Sequence, residues 1–294
     1  MNKGNLLIIS TYYPHEINKA SGVFVKSQVD ELKKYFNKVY VISLIPYIPG
    51  FLSRFSFVPK RASYNHLVND YKYDNVEVYY IRSIRFPFYF FGQYGKRQSN
   101  KVISFIKENK IEFDLIHAHF TWPSGYVASE IKKKLNKPYV LTVHEDREWF
   151  LKEVNHPQKT YMKAWKNADK IIRVNKRDLK EFKKFNIDNK KLISIPNGFL
   201  EKYFKPIDQE KSRVKLNLPK NKKILLNIAN LEEYKGHKYL INAMKSVVKK
   251  NKNIELHIIG RGSLENKLKS LVSTLDLSDY VFFEGSNKSF EELL

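Results

Sequence analysis

The sequence contains no cysteine, which excludes a disulfide framework and any thiolate-ligated metal site. No apolar run approaches the roughly 18 residues that a membrane-spanning helix needs. The N-terminal apolar stretch Leu6 to Ile9 is too short for the core of a secretion signal and reads as a first strand. A Gly-rich phosphate loop ending in Gly-Lys-Ser/Thr is missing, as is a Gly-x-Ser-x-Gly nucleophile elbow. Internal repeats and low-complexity segments are missing too. Acidic residues are scarce: 30 Asp and Glu face 53 Lys and Arg, a net charge of +23. Such an excess attracts anions, whether nucleic acid, anionic lipid or phosphorylated substrates. The lysines are spread along the chain, and many fall on predicted helix faces (Lys33, Lys34, Lys132, Lys249, Lys250), so simple solvation is an equal reading. These absences predict a cytoplasmic protein, soluble or peripheral on the inner face of the membrane.

What is present is a hydrophobic share of 43% in 294 residues, enough for one large domain or two ordinary ones. Short apolar strands are predicted at 5–11, 39–45, 76–81, 115–119, 139–143, 170–174 and 192–195. Amphipathic helices fit after Gly22 and over 99–107, 126–135 and 177–185. Continuous apolar strands alternating with helices predict a parallel sheet covered on both faces, with ligands at the carboxyl ends of its strands. A polar, proline-containing stretch over 199–223 follows the turn signal Asn197-Gly198. A second series then begins: strand 224–229, helix 237–250, strand 254–259, helix 263–275 and strand 280–283. The expected fold class is therefore α/β with two Rossmann-like, doubly wound domains, 1–198 and 199–294. The second is half a domain. Its first strand would normally be central, so its edge is predicted to be bare, and the chain reads as a fragment, a truncated product or one part of a split protein.

Several residues stand where ligands would bind. Gly22 follows the first strand and lets the backbone approach a ligand with its N–H groups. His144 ends the strand at 139–143, where a neutral imidazole can exchange a hydrogen bond with a hydroxyl. His117 and His119 lie two apart on one strand and share a face. They lack a carboxylate or third ligand at a convincing spacing, so no metal is expected. Lys235-Gly236 opens a helix, a natural site for a phosphate group. Gly260-Arg261-Gly262 ends another strand. Its glycines are equally readable as a strand-to-helix turn.

Read in order, these pieces resemble a glycosyltransferase of family 4, with the two-domain GT-B fold. The resemblance rests on Gly22-Val23-Phe24-Val25 after the Pro14 turn, DLIHAHFTWPSG at 114–125 and LTVHEDREW at 141–149. It continues through NADKIIRVN at 167–175, ISIPNG at 193–198, NIANLEEYKGH at 227–237 and LHIIGRG at 256–262. It covers nearly the whole chain and is similar in wording to members that build cell-surface polysaccharides. The resemblance implies retaining, metal-independent transfer of a sugar from a UDP- or GDP-linked donor to a hydroxyl acceptor on a glycan, glycolipid or lipid-linked molecule. No cofactor is implied beyond the nucleotide-sugar itself. The implied roles are catalytic for His144 and Lys235. Donor binding falls to Gly22, Asn197, Asn230, Gly236, Gly260, Arg261 and Gly262. His119, Glu145 and Asp146 lie on the acceptor side. Where relatives carry an arginine before the Lys-Gly pair, this chain has Asn230, and Arg261 is the candidate to compensate. Where relatives often have glycine after the histidine, Glu145-Asp146 follow. There is no Asp-x-Asp triplet of a metal-dependent GT-A enzyme. The paired-glutamate motif of the family is not matched, since Glu291 and Glu292 come too early.

Two aromatic and basic stretches, 45–61 and 85–97, read equally as an anionic membrane contact, a lipid-linked acceptor site or loop-packed core. The alternatives to a transferase are a non-catalytic acceptor- or membrane-binding protein and a GT-B-fold sugar-nucleotide epimerase. Nucleic-acid binding comes last, because no recognised motif accompanies the charge.

Overall fold

The computed structural model describes residues 3–47, 68–84, 91–199, 201 and 204–285. It divides into two compact units, residues 1–197 and 198–294. Most of 45–61 and the first part of 85–97, where the membrane, lipid-acceptor and loop-packed readings fall, lie outside the described residues.

The first unit is built on eight strands: β1 (Leu6–Ser10), β2 (Val39–Tyr47), β3 (Tyr71–Tyr73), β4 (Val76–Ile84), β5 (Leu115–His119), β6 (Tyr139–Val143), β7 (Lys170–Arg173) and β8 (Leu192–Ser194). Their spatial order is β3-β4-β2-β1-β5-β6-β7-β8. All neighbours run parallel except the short edge strand β3, which pairs antiparallel with β4 and was not anticipated from the sequence. Helices α1 (Val23–Leu32), α2 (Phe91–Glu108), α3 (Tyr126–Leu135), α4 (Arg147–Asn155) and α5 (Lys159–Asn167) join the strands. The segment Lys176–Phe185 is helical, as expected, but wound as a 3-10 helix. Helix α2 extends at least eight residues before its predicted beginning, so residues 91–97 of the aromatic and basic stretch are helical.

Alternation sorts each strand between two layers. Leu7 and Ile9 of β1 join Ile42, Leu44 and residues of α2, α3 and α5 in one core. Leu6 and Ile8 join Val39, Val41, Val76, Val78 and Val25 and Val29 of α1 in the other. Every residue of β1 is buried, because it is flanked by β2 and β5 and covered on both faces. The chain order reverses between β1 and β5, the place where open parallel sheets leave a crevice at their carboxyl edge.

The second unit has three parallel strands, β9 (Lys223–Ile228), β10 (Ile254–Ile259) and β11 (Val281–Gly285), in the order β11-β10-β9. Helix α6 (Gln209–Lys215) precedes them, and α7 (His237–Lys250) and α8 (Glu265–Thr274) connect them. Ile241, Met244 and Val248 of α7 and Leu268 and Val272 of α8 pack on Ile254, Leu256 and Ile258. Among the described residues β9 is an edge strand, and its Leu225, Leu226 and Ile228 are exposed.

Trp165 of α5 is the largest side chain wholly buried in the first unit. It packs against Phe150, Tyr161, Phe182 and Phe185, and its indole N–H donates to Thr121 Oγ1 at 3.1 Å. Trp165→Ala is expected to lower the unfolding free energy by about 3–5 kcal/mol, read by urea denaturation followed by far-UV circular dichroism.

Candidate active site

Three strand ends meet at the carboxyl edge of the large sheet. Ser10 of β1, His119 of β5 and Thr142 of β6 lie side by side in register. The chain leaves β1 through a loop that ends at Gly22, the residue before α1. Gly22 sits in the left-handed region (φ 63°), and a Cβ there would lie 2.3 Å from the carbonyl oxygen of Tyr12, so only glycine fits. This turn sets down the first turn of α1 beside the end of β6, with the Val25 and Lys26 N–H groups donating to Gly22 O at 2.9 and 3.0 Å. The Phe24 ring is 4.9 Å from the His144 ring, which joins two segments 120 residues apart.

His144 is partly buried. Its Nε2 lies 2.9 Å from Nδ1 of His119, which is wholly buried. His117 Nε2 pairs with Thr142 Oγ1 at 2.8 Å, and its ring centre is 4.3 Å from that of His119, so the two do share a face. Burial lowers the pKa of all three. His117 falls to about 4. His144 also falls to about 4, with further lowering from His117 and Arg173. For His119 the fall is larger still, with His117 and His144 adding to burial. All three imidazoles are neutral near pH 7. Among the described residues no group of three or more His, Asp or Glu is arranged to hold a metal ion.

The loop after β6 is fixed from below by Arg173 of β7. This buried guanidinium donates to the carbonyl oxygens of Val143 at 2.9 Å and Glu145 at 2.6 Å, the residues on either side of His144. It also donates to Asp178 at 2.9 Å and lies 4.4 Å over the Phe150 ring. Arg147 pairs with the same Asp178. Glu145 turns inward, and its Oε1 accepts the Thr121 backbone N–H at 2.7 Å. Asp146 caps α4 by accepting the Trp149 N–H at 2.9 Å. Both expected acceptor-side carboxylates thus have local structural partners. Phe120, between His119 and Thr121, has φ 73° and ψ 145°, a conformation that costs an L-residue about 1–3 kcal/mol. Its ring packs against His144, Phe24 and Tyr12.

The sequence had offered no role for Phe24, Phe120, Arg173 or Glu153. A signal existed for Arg173, a charge at the end of the otherwise apolar strand KIIR. Phe24 stood inside the glycine motif as an apolar residue in the first turn of a helix. It is in fact 40% exposed, beside His144.

In the second unit, the ends of β9 and β10 are held together by their backbones. Ala229 N–H donates to Ile259 O at 3.0 Å, and Leu231 N–H to Arg261 O at 3.0 Å. A Cβ at Gly260 would lie 2.0 Å from Ala229 O, and one at Gly262 2.4 Å from Leu231 O. Both glycines are therefore demanded by this close approach. The Gly260 N–H is taken by Gly285 O at 2.9 Å. Asn230 lies in the same joint, with its carbonyl accepting the Glu232 N–H at 2.8 Å. Gly236, with φ 74°, turns the chain into α7. The Lys235 ammonium lies 4.9 Å from the centre of the Tyr234 ring and forms no ion pair among the described residues. Lys235, Gly236, Asn230, Gly260, Arg261 and Gly262 thus belong to the carboxyl-edge loops of one small sheet. Asn197 is exposed at the end of the first unit and makes no hydrogen bond among the described residues.

Two family models match the chain, Glycosyltransferase Family 4 over residues 31–199 and Glycosyl transferases group 1 over residues 208–294. The chain belongs to glycosyltransferase family 4. It is 28% identical over 260 residues to TuaC of Bacillus subtilis, named as a teichuronic acid biosynthesis glycosyltransferase, covering 82% of this chain and 62% of that protein. It is 30% identical over 171 residues to Protein CapJ of Staphylococcus aureus, covering 55% of this chain and 41% of that one. The chain thus spans less than two thirds of the length of either relative. Among solved structures it resembles Anabaena Alr3699/HepE in complex with UDP, with a TM-score of 0.65 and 17% identity over 100% of this chain and 71% of that one. The same Anabaena protein in complex with UDP-glucose matches with a TM-score of 0.63 and 18% identity over 99% and 71%. The family 4 chain is α/β of the GT-B type, with one large sheet and one small parallel sheet.

Glu153 of α4 is 4% exposed, and burial, reinforced by the neighbouring Glu145, raises its pKa to about 9. In the unfolded chain a glutamate titrates near about 4.3. The folded state therefore holds a proton that the unfolded state releases, and the stability this provides is lost as pH climbs from about 4.3 towards 9. Glu153→Gln should match the parent near pH 5 and exceed it by on the order of 2–4 kcal/mol at pH 8. Urea denaturation at a series of pH values measures this. Parallel curves for the two proteins would show that Glu153 is ionised in the fold.

Proposed function

We propose that the chain carries the catalytic histidine and the diphosphate-binding loops of an enzyme that moves a sugar from a UDP-linked donor to a hydroxyl acceptor. Transfer proceeds with retention and without an essential metal. The observation that carries this reading is His144: a neutral imidazole at the carboxyl edge of the sheet, its two neighbouring residues held by Arg173 through their carbonyls, and set against the first turn of α1. Residues 1–198 form the acceptor side, and 199–294 hold the donor. On this reading Lys235 at the start of α7 and Arg261, both in the second unit, neutralise the diphosphate as it departs. His144 orients the sugar, and catalysis is chiefly positioning and leaving-group stabilisation. UDP is favoured over GDP because the solved neighbours bind UDP and UDP-glucose.

The acceptor is a glycan or a lipid-linked molecule, as the names of TuaC and of a Streptococcus pneumoniae relative, alpha-monoglucosyldiacylglycerol synthase, suggest for those proteins. Among the described residues no helix is long and apolar enough to cross a membrane. Contact with an anionic membrane surface would rest on the net charge of +23.

A thermal-shift screen against UDP, GDP and their sugars, with and without chelator, tests this reading. Ligand at 100 times its dissociation constant stabilises by about 2.7 kcal/mol. The expected result is a UDP-selective, chelator-insensitive shift that Lys235→Ala abolishes. A flat screen on folded protein would overturn donor binding by this chain and favour a non-catalytic binding role.

A further inference from the structure

Two neutral imidazoles joined by one hydrogen bond must divide the roles of donor and acceptor, and the surroundings of His119 decide which takes which. The His119 and His144 ring planes differ by 17° and their centres are 5.2 Å apart, while Nδ1 of one is 2.9 Å from Nε2 of the other. The rings lie side by side and nearly coplanar, so the N–H of one points along the lone pair of the other.

The other nitrogen of His119, Nε2, is buried and has no hydrogen-bond partner among the described residues. Were the His119 proton on Nε2, a buried N–H donor would be orphaned. With the proton on Nδ1, only an acceptor lone pair is left alone. Orphaned buried donors are the rarer and costlier case. His119 is therefore the donor and His144 Nε2 the acceptor. A neutral His144 must then carry its proton on Nδ1, the minor site in free histidine. Nδ1 of His144 makes no hydrogen bond among the described residues, and Arg173 holds its backbone on both sides.

We propose that His119 is a positioning residue that fixes His144 as the Nδ1–H tautomer, so that His144 meets its ligand as a hydrogen-bond donor to a sugar hydroxyl oxygen. The strained Phe120 adjoins His119 in sequence and packs on the His144 ring, restricting the tilt that would break the imidazole pair. Burial keeps both rings uncharged, with His117 and Arg173 the charged or titratable groups that act on His144. The tautomer follows from the fold alone. Its use on a sugar rests on the proposed function above.

The test is a long-range proton–nitrogen NMR correlation on 15N-histidine-labelled protein at pH 7. His144 and His119 signals are assigned by their loss in His144→Gln and His119→Leu. The expected spectrum shows pyrrole-like Nδ1 and pyridine-like Nε2 on both residues. In His119→Leu, which removes the donor, His144 should move to the Nε2–H form. A protonated Nε2 on His144 in the parent protein, or a tautomer unchanged in His119→Leu, would overturn the proposal. If His119→Leu does not fold, the parent spectrum with the His144→Gln assignment still decides it. The sugar arm is read separately. UDP-glucose should lose about five- to tenfold of its affinity advantage over UDP in His119→Leu, with UDP binding unchanged. An Nδ1–H spectrum with no nucleotide binding would leave the tautomer standing and sink only the functional reading. An equal loss for UDP and UDP-glucose would remove the sugar from the proposal.

Discussion

A single buried charge organises the carboxyl edge of the large sheet. Arg173 is 1% exposed, and a cation so deep is tolerable only if its donors find acceptors. Its two terminal nitrogens find them in Asp178 and in the carbonyls of Val143 and Glu145, with the Phe150 face beneath, while Nε has no partner among the described residues. Those carbonyls belong to the turn that carries His144. The bonds that satisfy Nη1 of this guanidinium are thus the ones that hold the histidine's turn. The arrangement continues through Glu145 to the Thr121 N–H and from the Thr121 hydroxyl to Trp165, so the turns after β5 and β6 are tied to each other and to the hydrophobic core.

The two units reach the same kind of edge by different means. In the first, polar side chains hold the loops: Thr11 to Ser124 at 3.0 Å, His119 to His144, and Glu145 to Thr121. In the second, backbones press directly on one another, and Gly260 and Gly262 are the condition for it. Substitution in the first edge removes a bond that a neighbour can partly replace. Any side chain at Gly260 or Gly262 would instead force the β9 and β10 loops apart.

Much of this was legible in the sequence where pattern and structure share a period. β5, α3, β6, α7 and β10 lie where the apolar spacing placed them, since each is a continuous apolar run or a clear helical stripe. His119 and His144 were visible because each closes such a run. Helices α4 and α5 were not read, because each is nine residues long with few buried apolar positions, and in α4 one buried position is Glu153. Strand β3 is three residues of alternating aromatics, too short to carry a period. The inward turn of Glu145 and the strained backbone of Phe120 depend on partners more than 20 residues away, which no local pattern records. The glycines of GRG carried both readings in the sequence, and the close approach of β9 and β10 explains them without a ligand.

The open flank of β9 gives the lysine surplus a second meaning. Among the described residues β9 has no outer neighbour, and a parallel-sheet edge with Leu225, Leu226 and Ile228 turned to water is a template on which a further strand, from this protein or from another copy, can add. Copies bearing +23 repel one another before the edges meet, and that repulsion reaches about 10 Å at 0.1 M salt and only about 3 Å at 1 M. Wherever that flank stays uncovered, association is a contest between a sticky seam and a like-charged halo. Salt, commonly added to keep basic proteins in solution, acts here on the halo and leaves the seam in place.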